Sequence, residues 1–296
     1  MIEKLTKCPL CSSGHFIEYT TIQDFSISKE NFKLYQCKTC NLIFTNPRPN
    51  QQSIGNYYEF DEYISHQDQA NNLTNWLYKQ VRKITLKQKV YWINTFCRNK
   101  GNLLDYGCGT GYFLKAANKD GWKVKGIEPN ETARNIARKL SIDVKENLSQ
   151  IDGNYKFDII TLFHVLEHVH DLNEISLSLR DRLTEKGTLL IAVPNRDSWD
   201  AEKYKANWAA WDVPRHLYHF NQSTLNTFAD MLNMKIISII PMKFDSYYVS
   251  LLSENHLGNT GIKALINGFI NGLKSNYWAK RNKKNYSSNL FILKKK

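Results

Sequence analysis

The sequence predicts an α/β fold with a parallel, doubly wound sheet that is covered by helices on both faces. Strand-like segments alternate with helix-like segments from residue 101 onward. A glycine-rich turn, GCGTG at 107–111, follows the first of these strands. Apolar residues make up 42% of the 296 residues and charged residues 23%, which is ordinary for a globular protein with a sizeable core.

The individual elements follow from the spacing of apolar residues along the chain. Strands are predicted at 103–106, 124–127, 157–163, 188–193, 235–240 and 289–294. Helices are predicted at 112–120, 131–140, 171–183 and 222–232. A further helix is expected at about 72–97, packed on the main domain by a face that carries Trp76, Leu77, Val81, Ile84, Val90 and Ile93.

Four of the six cysteines form two C-x-x-C pairs near the start of the chain: Cys8, Cys11, Cys37 and Cys40. Twenty-five residues with strand-like alternation separate the pairs, too few to fold on an apolar core alone. Four thiolates at this spacing suit a tetrahedral, structural Zn²⁺. A dithiol redox pair and an iron–sulfur centre remain alternatives. We therefore expect a zinc ribbon at 1–48, a linker and packing helix at 49–98, and the main domain at 99–296.

The glycine turn lies where ligands bind in such a sheet, beyond the carboxyl end of the first parallel strand. Gly107, Gly109 and Gly111 give the order G-x-G-x-G. A dinucleotide fingerprint would have its third glycine at the position of Tyr112, and the segment is not a phosphate-binding loop either. The turn therefore predicts a nucleoside ligand that is not held by a pyrophosphate.

An acid at the end of the second strand narrows the choice of ligand. Glu128 follows Gly107 by 21 residues and can accept hydrogen bonds from both hydroxyls of a ribose. Pro129 can offer an apolar face to an adenine. A ribose and an adenine without a diphosphate indicate S-adenosylmethionine, with its methionyl part near Asp105.

Four segments resemble the class I S-adenosylmethionine-dependent methyltransferases: DYGCGTG (105–111), GIEPN (126–130), FDIITLFHVLEHVHD (157–171) and GTLLIAVPN (187–195). The resemblance covers roughly residues 100–240. It implies a Rossmann-like sheet of seven strands, mostly parallel, with an antiparallel last strand. NPRP at 46–49 and PRHLYHF at 214–220 resemble a subgroup with an N-terminal zinc-binding segment, some members of which act on sugars or small metabolites.

The same resemblance implies the roles of individual residues around the cofactor. The methionyl end would be held by Asp105 and by the turn that contains Gly107, Cys108, Gly109 and Gly111. Glu128 and Pro129 would hold the adenosine, and Asn147 and Leu148 would lie beside the adenine. Phe163 and His164 would line the side on which the methyl group is transferred.

Histidines supply the candidates for removing a proton from the acceptor, because their unperturbed pKa is close to neutrality. His216, in PRHLYHF, is the first candidate general base; His164 and His219 are the others. Each could instead be a hydrogen-bonded structural histidine. His164 and His168 would share a face of a helical turn, but no third metal ligand is indicated, so His168 is expected to brace its loop.

Two insertions interrupt the α/β pattern of the main domain. Residues 195–220 are rich in aromatic side chains and form either a lid over a flat acceptor or a satellite core. Residues 241–288 carry an apolar stripe at helical spacing. Core packing is the expected role of this stripe, and a membrane-surface or lipid-substrate face is the alternative. The stripe comprises Ile262, Leu265, Ile266, Phe269, Ile270 and Leu273.

The net charge of +12 is concentrated at the C-terminal end. Residues 255–296 contain nine Lys or Arg and no Asp or Glu, so residues 1–254 carry a net charge of only +3. Such a segment can attract nucleic acid, an anionic membrane or a phosphorylated molecule. No apolar run reaches the ~18 residues of a membrane-spanning helix, and the N-terminus lacks the apolar region of a secretion signal, so a cytoplasmic location is expected.

These observations predict a methyltransferase that acts on a small-molecule acceptor, at oxygen in preference to nitrogen or carbon. Two alternatives remain open. The first is an RNA methyltransferase that grips phosphates with the zinc module and the basic C-terminal segment. The second is a non-catalytic interaction protein that retains the cofactor fold. The sequence does not indicate an oligomeric state.

Overall fold

The computed structural model describes residues 1–58, 73–97 and 99–296, and for residues 73–81 it describes the backbone. The strands that precede the main domain are β1 (Ile2–Glu3), β2 (Phe16–Gln23), β3 (Asn31–Cys37), β4 (Ile43–Thr45) and β5 (Arg48–Pro49). Those that follow are β6 (Asn102–Tyr106), β7 (Lys123–Ile127), β8 (Val144–Lys145), β9 (Phe157–Phe163), β10 (Leu183–Pro194), β11 (Tyr218–His219), β12 (Met234–Pro241) and β13 (Ser288–Lys295).

Eight α-helices lie within these described ranges. They are α1 (Leu73–Phe96), α2 (Tyr112–Lys119), α3 (Glu131–Lys139), α4 (Leu172–Asp181), α5 (Trp199–Tyr204), α6 (Gln222–Met231), α7 (Asp245–His256) and α8 (Gly261–Arg281). Short 3₁₀ turns add Ile54–Tyr57, Leu148–Gln150, Leu166–His168, Lys205–Asn207 and Ala209–Trp211. No helix in the described part of the chain is long and apolar enough to cross a membrane.

A seven-stranded sheet in the order β12-β13-β10-β9-β6-β7-β8 forms the centre of the main domain. Strand β13 runs antiparallel to both β10 and β12, and the other pairings in this sheet are parallel. The chain order reverses direction between β6 and β9. In open α/β sheets, this switch point opens the crevice in which ligands bind, beyond the carboxyl ends of the strands.

The central strands are buried on both faces because helices cover both sides of the sheet. On β9, Ile160 and Leu162 belong to one apolar cluster, and Ile159 belongs to the other. This alternation follows from the two-residue period of a strand. Near-continuous apolar runs therefore mark β9 and β10 in the sequence.

The predicted fold class, a mostly parallel seven-stranded sheet with an antiparallel last strand, is confirmed. The predicted strand at 188–193 is too short, because β10 already begins at Leu183, which pairs with Phe157. A register shift separates Leu183 from Thr188. It includes Gly187, the residue directly before the predicted strand. The helix predicted to run to residue 183 accordingly ends at Asp181.

Helix α1 lies where the sequence predicts it, but its packing face differs in part. Ile93 is buried as expected, and so is its neighbour Trp92. Ile84 is exposed, so its place on the predicted face is wrong. Trp76, Leu77 and Val81 lie outside the residues whose side chains are described.

The N-terminal segment shares a sheet with the main domain. Strand β11, from the insertion at 195–220, pairs antiparallel with β4 and completes the sheet β11-β4-β3-β2. A buried ion pair adds to this junction, because Arg215 donates to Asp24 across 2.8 Å. The ribbon is therefore joined to the insertion by backbone hydrogen bonds and by charge.

The aromatic residues of the first insertion form a satellite core rather than an open lid. Tyr204, Trp208 and Trp211 are buried and pack with Ile22 and Leu34 of the ribbon sheet. Of the two interpretations of this insertion, the satellite core is the one that the structure supports.

The second insertion is a hairpin of α7 and α8, and the expectation that its apolar stripe packs in the core is wrong. The six stripe residues are between 43% and 75% exposed. The opposite face of α8, which includes Ala264, Gly268 and Gly272, is buried instead. The apolar stripe therefore faces outward.

Candidate active site

The glycine turn between β6 and α2 is held by the neighbouring strand and by its own packing. The N–H groups of Gly107 and Cys108 both donate to the carbonyl oxygen of Ile127. Gly107 has a φ of 75°, and a Cβ there would lie 2.4 Å from a methyl carbon of Val165. A side chain at Gly107 is thus excluded by conformation and by space.

Glu128, at the end of β7, fixes the conformation of this turn by a hydrogen bond. One carboxylate oxygen accepts from the N–H of Gly109 at 2.9 Å, and the other accepts from the N–H of Asn130 at 2.9 Å. A carboxylate offers about four lone-pair sites, so acceptor capacity remains for two further donors. Burial raises the pKa of Glu128, although the two backbone hydrogen bonds counteract it.

Asp105 lies one strand away at the carboxyl end of β6 and is 5% exposed. The hydroxyl of Thr161 donates to it at 2.6 Å. Burial raises the pKa of Asp105 to about 6, against the hydrogen bond from Thr161 and the charge of Lys89. A cationic ligand beside this buried carboxyl group would stabilise its ionised form.

The remaining predicted cofactor residues belong to the glycine turn and to the ends of β7 and β8. Asn147 and Leu148 follow β8, which pairs with β7, and the N–H of Glu128 donates to the carbonyl of Lys145. Cys108 is buried, and its Sγ would lie 2.5 Å from a Cβ at Gly126, so its thiol packs under the turn. Pro129 is exposed beside Glu128.

Phe163 ends β9 with an aromatic ring that packs edge-on against Phe113, with centroids 5.3 Å apart. The Nζ atom of Lys89 lies 4.1 Å from the centroid of the Phe163 ring. Burial lowers the pKa of Lys89, while Asp105 and Asp245 favour its charged form. Sequence reasoning assigned the helix around Lys89 only to packing, and nothing in its pattern distinguished this lysine.

His164 follows Phe163 at the edge of the crevice and has a left-handed backbone with φ 59°. Its Nδ1 lies 3.4 Å from Glu167, and its Nε2 lies 3.0 Å from Asp245. Burial lowers the pKa of His164, but the two carboxylates outweigh that effect and raise it above its ordinary value. The side chain is 35% exposed.

The predicted helical turn joining His164 and His168 is absent, because a 3₁₀ turn begins only at Leu166. His168 instead meets His216, with ring centroids 4.7 Å apart. Glu167 completes this group, in which ligand atoms of all three residues lie within 4.8 Å of one another. His168 also contacts the carbonyl oxygen of Arg215 through Nδ1 at 3.0 Å, in line with the expectation that it braces its loop.

The other two candidate bases are nearly buried. His216 is 8% exposed, and its Nδ1 lies 2.9 Å from the carbonyl oxygen of Ala210. His219 belongs to β11, where its ring packs edge-on against Trp211. Burial holds the pKa of His219 well below its ordinary value. Of the three histidines, His164 has the most accessible ring at the crevice.

The four N-terminal cysteines converge as the spacing predicts, with sulfur atoms within 4.8 Å of one another. The sulfurs of Cys8 and Cys40 are 3.6 Å apart, and those of Cys11 and Cys37 are 3.5 Å apart. A tetrahedral zinc with bonds of about 2.3 Å separates its sulfurs by about 3.8 Å. The cluster therefore fits a structural Zn²⁺ held entirely by protein ligands.

Comparison with known proteins identifies the main domain. Residues 73–239 match a family model described as a methyltransferase domain. The chain belongs to this methyltransferase family. The predictions of a class I methyltransferase that uses S-adenosylmethionine, and of an enzyme as opposed to a non-catalytic protein, are confirmed at the level of family and fold.

Two curated relatives are ubiquinone biosynthesis O-methyltransferases. The protein from Bartonella quintana (strain Toulouse) is 29% identical over 119 residues, which are 38% of this chain and 44% of the relative. The protein from Histophilus somni (strain 2336) is 39% identical over 107 residues, or 32% and 45% of the two chains. The chain thus spans less than half the length of these relatives.

Solved structures share the fold at low sequence identity. Magnesium protoporphyrin IX methyltransferase from Synechocystis PCC 6803, with bound SAH, gives a TM-score of 0.52 at 13% identity and covers 82% of this chain and 95% of that one. A SAM-dependent methyltransferase from Archaeoglobus fulgidus gives a TM-score of 0.50 at 16% identity, covering 80% and 100%.

Proposed function

We propose that this methyltransferase transfers a methyl group from S-adenosylmethionine to a hydroxyl oxygen of a small-molecule acceptor. The observation that carries the proposal is the convergence of two largely buried carboxylates, Asp105 and Glu128, on the glycine turn at the switch point of the sheet. The names of the curated relatives support oxygen as the acceptor atom.

The residues at the crevice suit the separate parts of the cofactor. Glu128 has lone pairs left for two ribose hydroxyls, and its position is fixed by Gly109 and Asn130. Asp105 would pair with the α-ammonium group of the methionyl part. When bound, the cofactor supplies the methyl group and its sulfonium leaving group.

The protein's remaining task is to position the acceptor, and the raised pKa of His164 suits it to this task and not to that of a general base. His164 is the group we place against the acceptor, because it follows β9 at the crevice and keeps part of its ring exposed. Asp245, the first residue of α7, orients that ring. Helix α7 therefore begins beside the proposed acceptor position.

Glu128→Gln should weaken the binding of S-adenosylhomocysteine by about 10- to 100-fold, because hydrogen bonds to a charged group contribute roughly 1.5–3 kcal/mol. Isothermal titration calorimetry measures the change. Glu131→Gln, an exposed position three residues away, is the matched control and should bind as the wild type does. Unchanged affinity in Glu128→Gln would place the ribose elsewhere.

The affinity for S-adenosylhomocysteine should also depend on pH. Asp105 must be ionised to pair with an ammonium group, and its pKa of about 6 lies within reach of ordinary buffers. Binding should be constant above pH 7 and fall about tenfold between pH 7 and pH 5. Asp105→Asn should bind weakly with little of this dependence. A wild-type affinity that does not change over this range contradicts the role of Asp105.

The acceptor class can be tested with labelled S-adenosylmethionine in a cell extract separated into RNA, protein, lipid and small-molecule fractions. Label should enter a small molecule or a free lipid. With that acceptor, His164→Asn should lower kcat at least tenfold and change cofactor affinity less than twofold, while exposed His15→Asn should match the wild type. Label in RNA alone, or full turnover by His164→Asn, would refute the respective claim.

A further inference from the structure

We propose that Glu167, His168 and His216 form a second metal site, which binds a divalent transition-metal ion. The site is separate from the cysteine cluster and does not depend on the proposed reaction. Each residue offers one ligand atom, and the three atoms lie within 4.8 Å of one another. Two imidazoles and one carboxylate suit Zn²⁺, Fe²⁺, Co²⁺ or Mn²⁺ in preference to calcium.

Glu167 is the first reason for this assignment. Its side chain is fully buried, and neither carboxylate oxygen has a hydrogen-bond partner among the described residues. Nδ1 of His164 lies 3.4 Å away, so this imidazole offsets part of the charge of Glu167, but His164 is shared with Asp245. The carboxylate still has no hydrogen bond in its buried position, which is unfavourable, and a bound cation would supply the missing partner.

The orientation of the two imidazoles is the second reason. Nδ1 of His168 lies 3.0 Å from the carbonyl oxygen of Arg215, and Nδ1 of His216 lies 2.9 Å from that of Ala210. A carbonyl oxygen only accepts, so each Nδ1 carries the proton and each Nε2 keeps its lone pair. Histidines that bind metals are held by their other ring nitrogen in this way.

The charged residues around these three side chains favour a bound cation. Asp212 lies 3.9 Å from Nε2 of His216 and could reach an ion through a water molecule. Arg215, the residue directly before His216, is already engaged by Asp212 and Asp24. An ion bound here would clamp the loop after β9 to the insertion that follows β10.

Metal content measures this site directly on the full chain. After incubation with excess Zn²⁺ and desalting, mass spectrometry of the elements should find two zinc ions per wild-type chain and one in Glu167→Gln. Glu174→Gln, an exposed glutamate on the following helix, should keep two. His216→Gln serves as a second variant in case Glu167→Gln does not fold, and should also hold one.

Cobalt distinguishes the two sites by spectrum. The first equivalent of Co²⁺ should give the intense thiolate charge-transfer band of the cysteine cluster, and the second should add only weak d–d bands. Glu167→Gln should lose the second step alone. One metal ion per wild-type chain, or two in a folded Glu167→Gln or His216→Gln, overturns the proposal.

The exposed stripe of α8 carries a second, independent inference: we propose that it docks on an anionic lipid bilayer. The stripe of Ile262, Leu265, Ile266, Phe269, Ile270 and Leu273 continues to exposed Tyr277. Soluble proteins rarely leave a contiguous apolar surface of this kind without an interaction partner.

The packing of the hairpin is inverted relative to a helix in a soluble core. A Cβ on Gly268 would lie 2.8 Å from the Cα of Leu251, so the two helices touch through small residues. Beside them, Asn271 donates to Glu254 and to the hydroxyl of Tyr204 within the interface. Polar and small groups face the protein and large apolar groups face outward, which suits an apolar environment.

The basic residues beside the stripe favour an anionic lipid surface as its partner. Lys263, Lys274 and Arg281 are 11 and seven residues apart, so they follow one line along the helix beside the stripe. No acidic residue occurs between residues 255 and 296. A basic flank beside an apolar face suits an anionic membrane surface, whereas a second copy would bring like charges together.

Vesicle sedimentation tests this surface. The wild type should pellet with phosphatidylcholine vesicles that contain phosphatidylglycerol, and weakly with phosphatidylcholine alone. The triple variant Ile262→Ser, Leu265→Ser and Ile266→Ser should bind at least tenfold more weakly, and Lys263→Glu with Lys274→Glu should lose the preference for anionic lipid. Ile17→Ser with Tyr19→Ser, at exposed apolar positions on β2, is the matched control.

Any of four results would contradict the membrane proposal. The wild type could remain in the supernatant with anionic vesicles. The triple variant could pellet as the control does. Light scattering could show a dimer that the triple variant abolishes, and the stripe would then belong to a second copy. The protein could also retain RNA at low salt but bind no vesicles, and the stripe would then belong to RNA.

Discussion

The fixed position of Glu128 is the constraint on which the cofactor crevice depends. Its carboxylate accepts from Gly109 and Asn130, so the end of β7 and the turn after β6 form one rigid unit. Gly107 contributes because its backbone conformation and its contact with Val165 leave no room for a side chain. The same unit carries Asp105 on β6, which brings both carboxylates to the switch point of the sheet.

The side of the crevice at His164 is built from parts of the chain that are distant in sequence. Strand β11 joins the insertion at 195–220 to the cysteine-bearing segment, and Asp24 pairs with Arg215 across this junction. Asp245 of the second insertion meets His164 at the end of β9. Backbone hydrogen bonds continue this connection to the loop after β9, because Leu217 accepts from the N–H of Thr45 and donates to the carbonyl of Glu167. This connection gives the N-terminal segment a structural role in the methyltransferase domain.

Local patterns predicted the elements of the main domain well, because buried strands and amphipathic helices differ in period. Sequence spacing was enough to predict three features: the glycine turn, the position of Glu128 and the convergence of the cysteine pairs. The contacts of Glu167 and Asp245 could not be predicted, because their partners lie on other elements and no local sequence pattern links them. The stripe of α8 was misassigned for a related reason. Periodicity shows that a helix has an apolar face, but only the contacts of Gly268 show that this face points outward.

The central claim is that an adenosyl sulfonium cofactor lies between the 107–111 turn and Glu128. A crystal structure of the protein with S-adenosylhomocysteine tests it most directly. The account predicts density for the ribose beside the carboxylate of Glu128, and for the amino group beside Asp105. Density for the ligand at another edge of the sheet, or a crevice filled by side chains at saturating ligand, would contradict it.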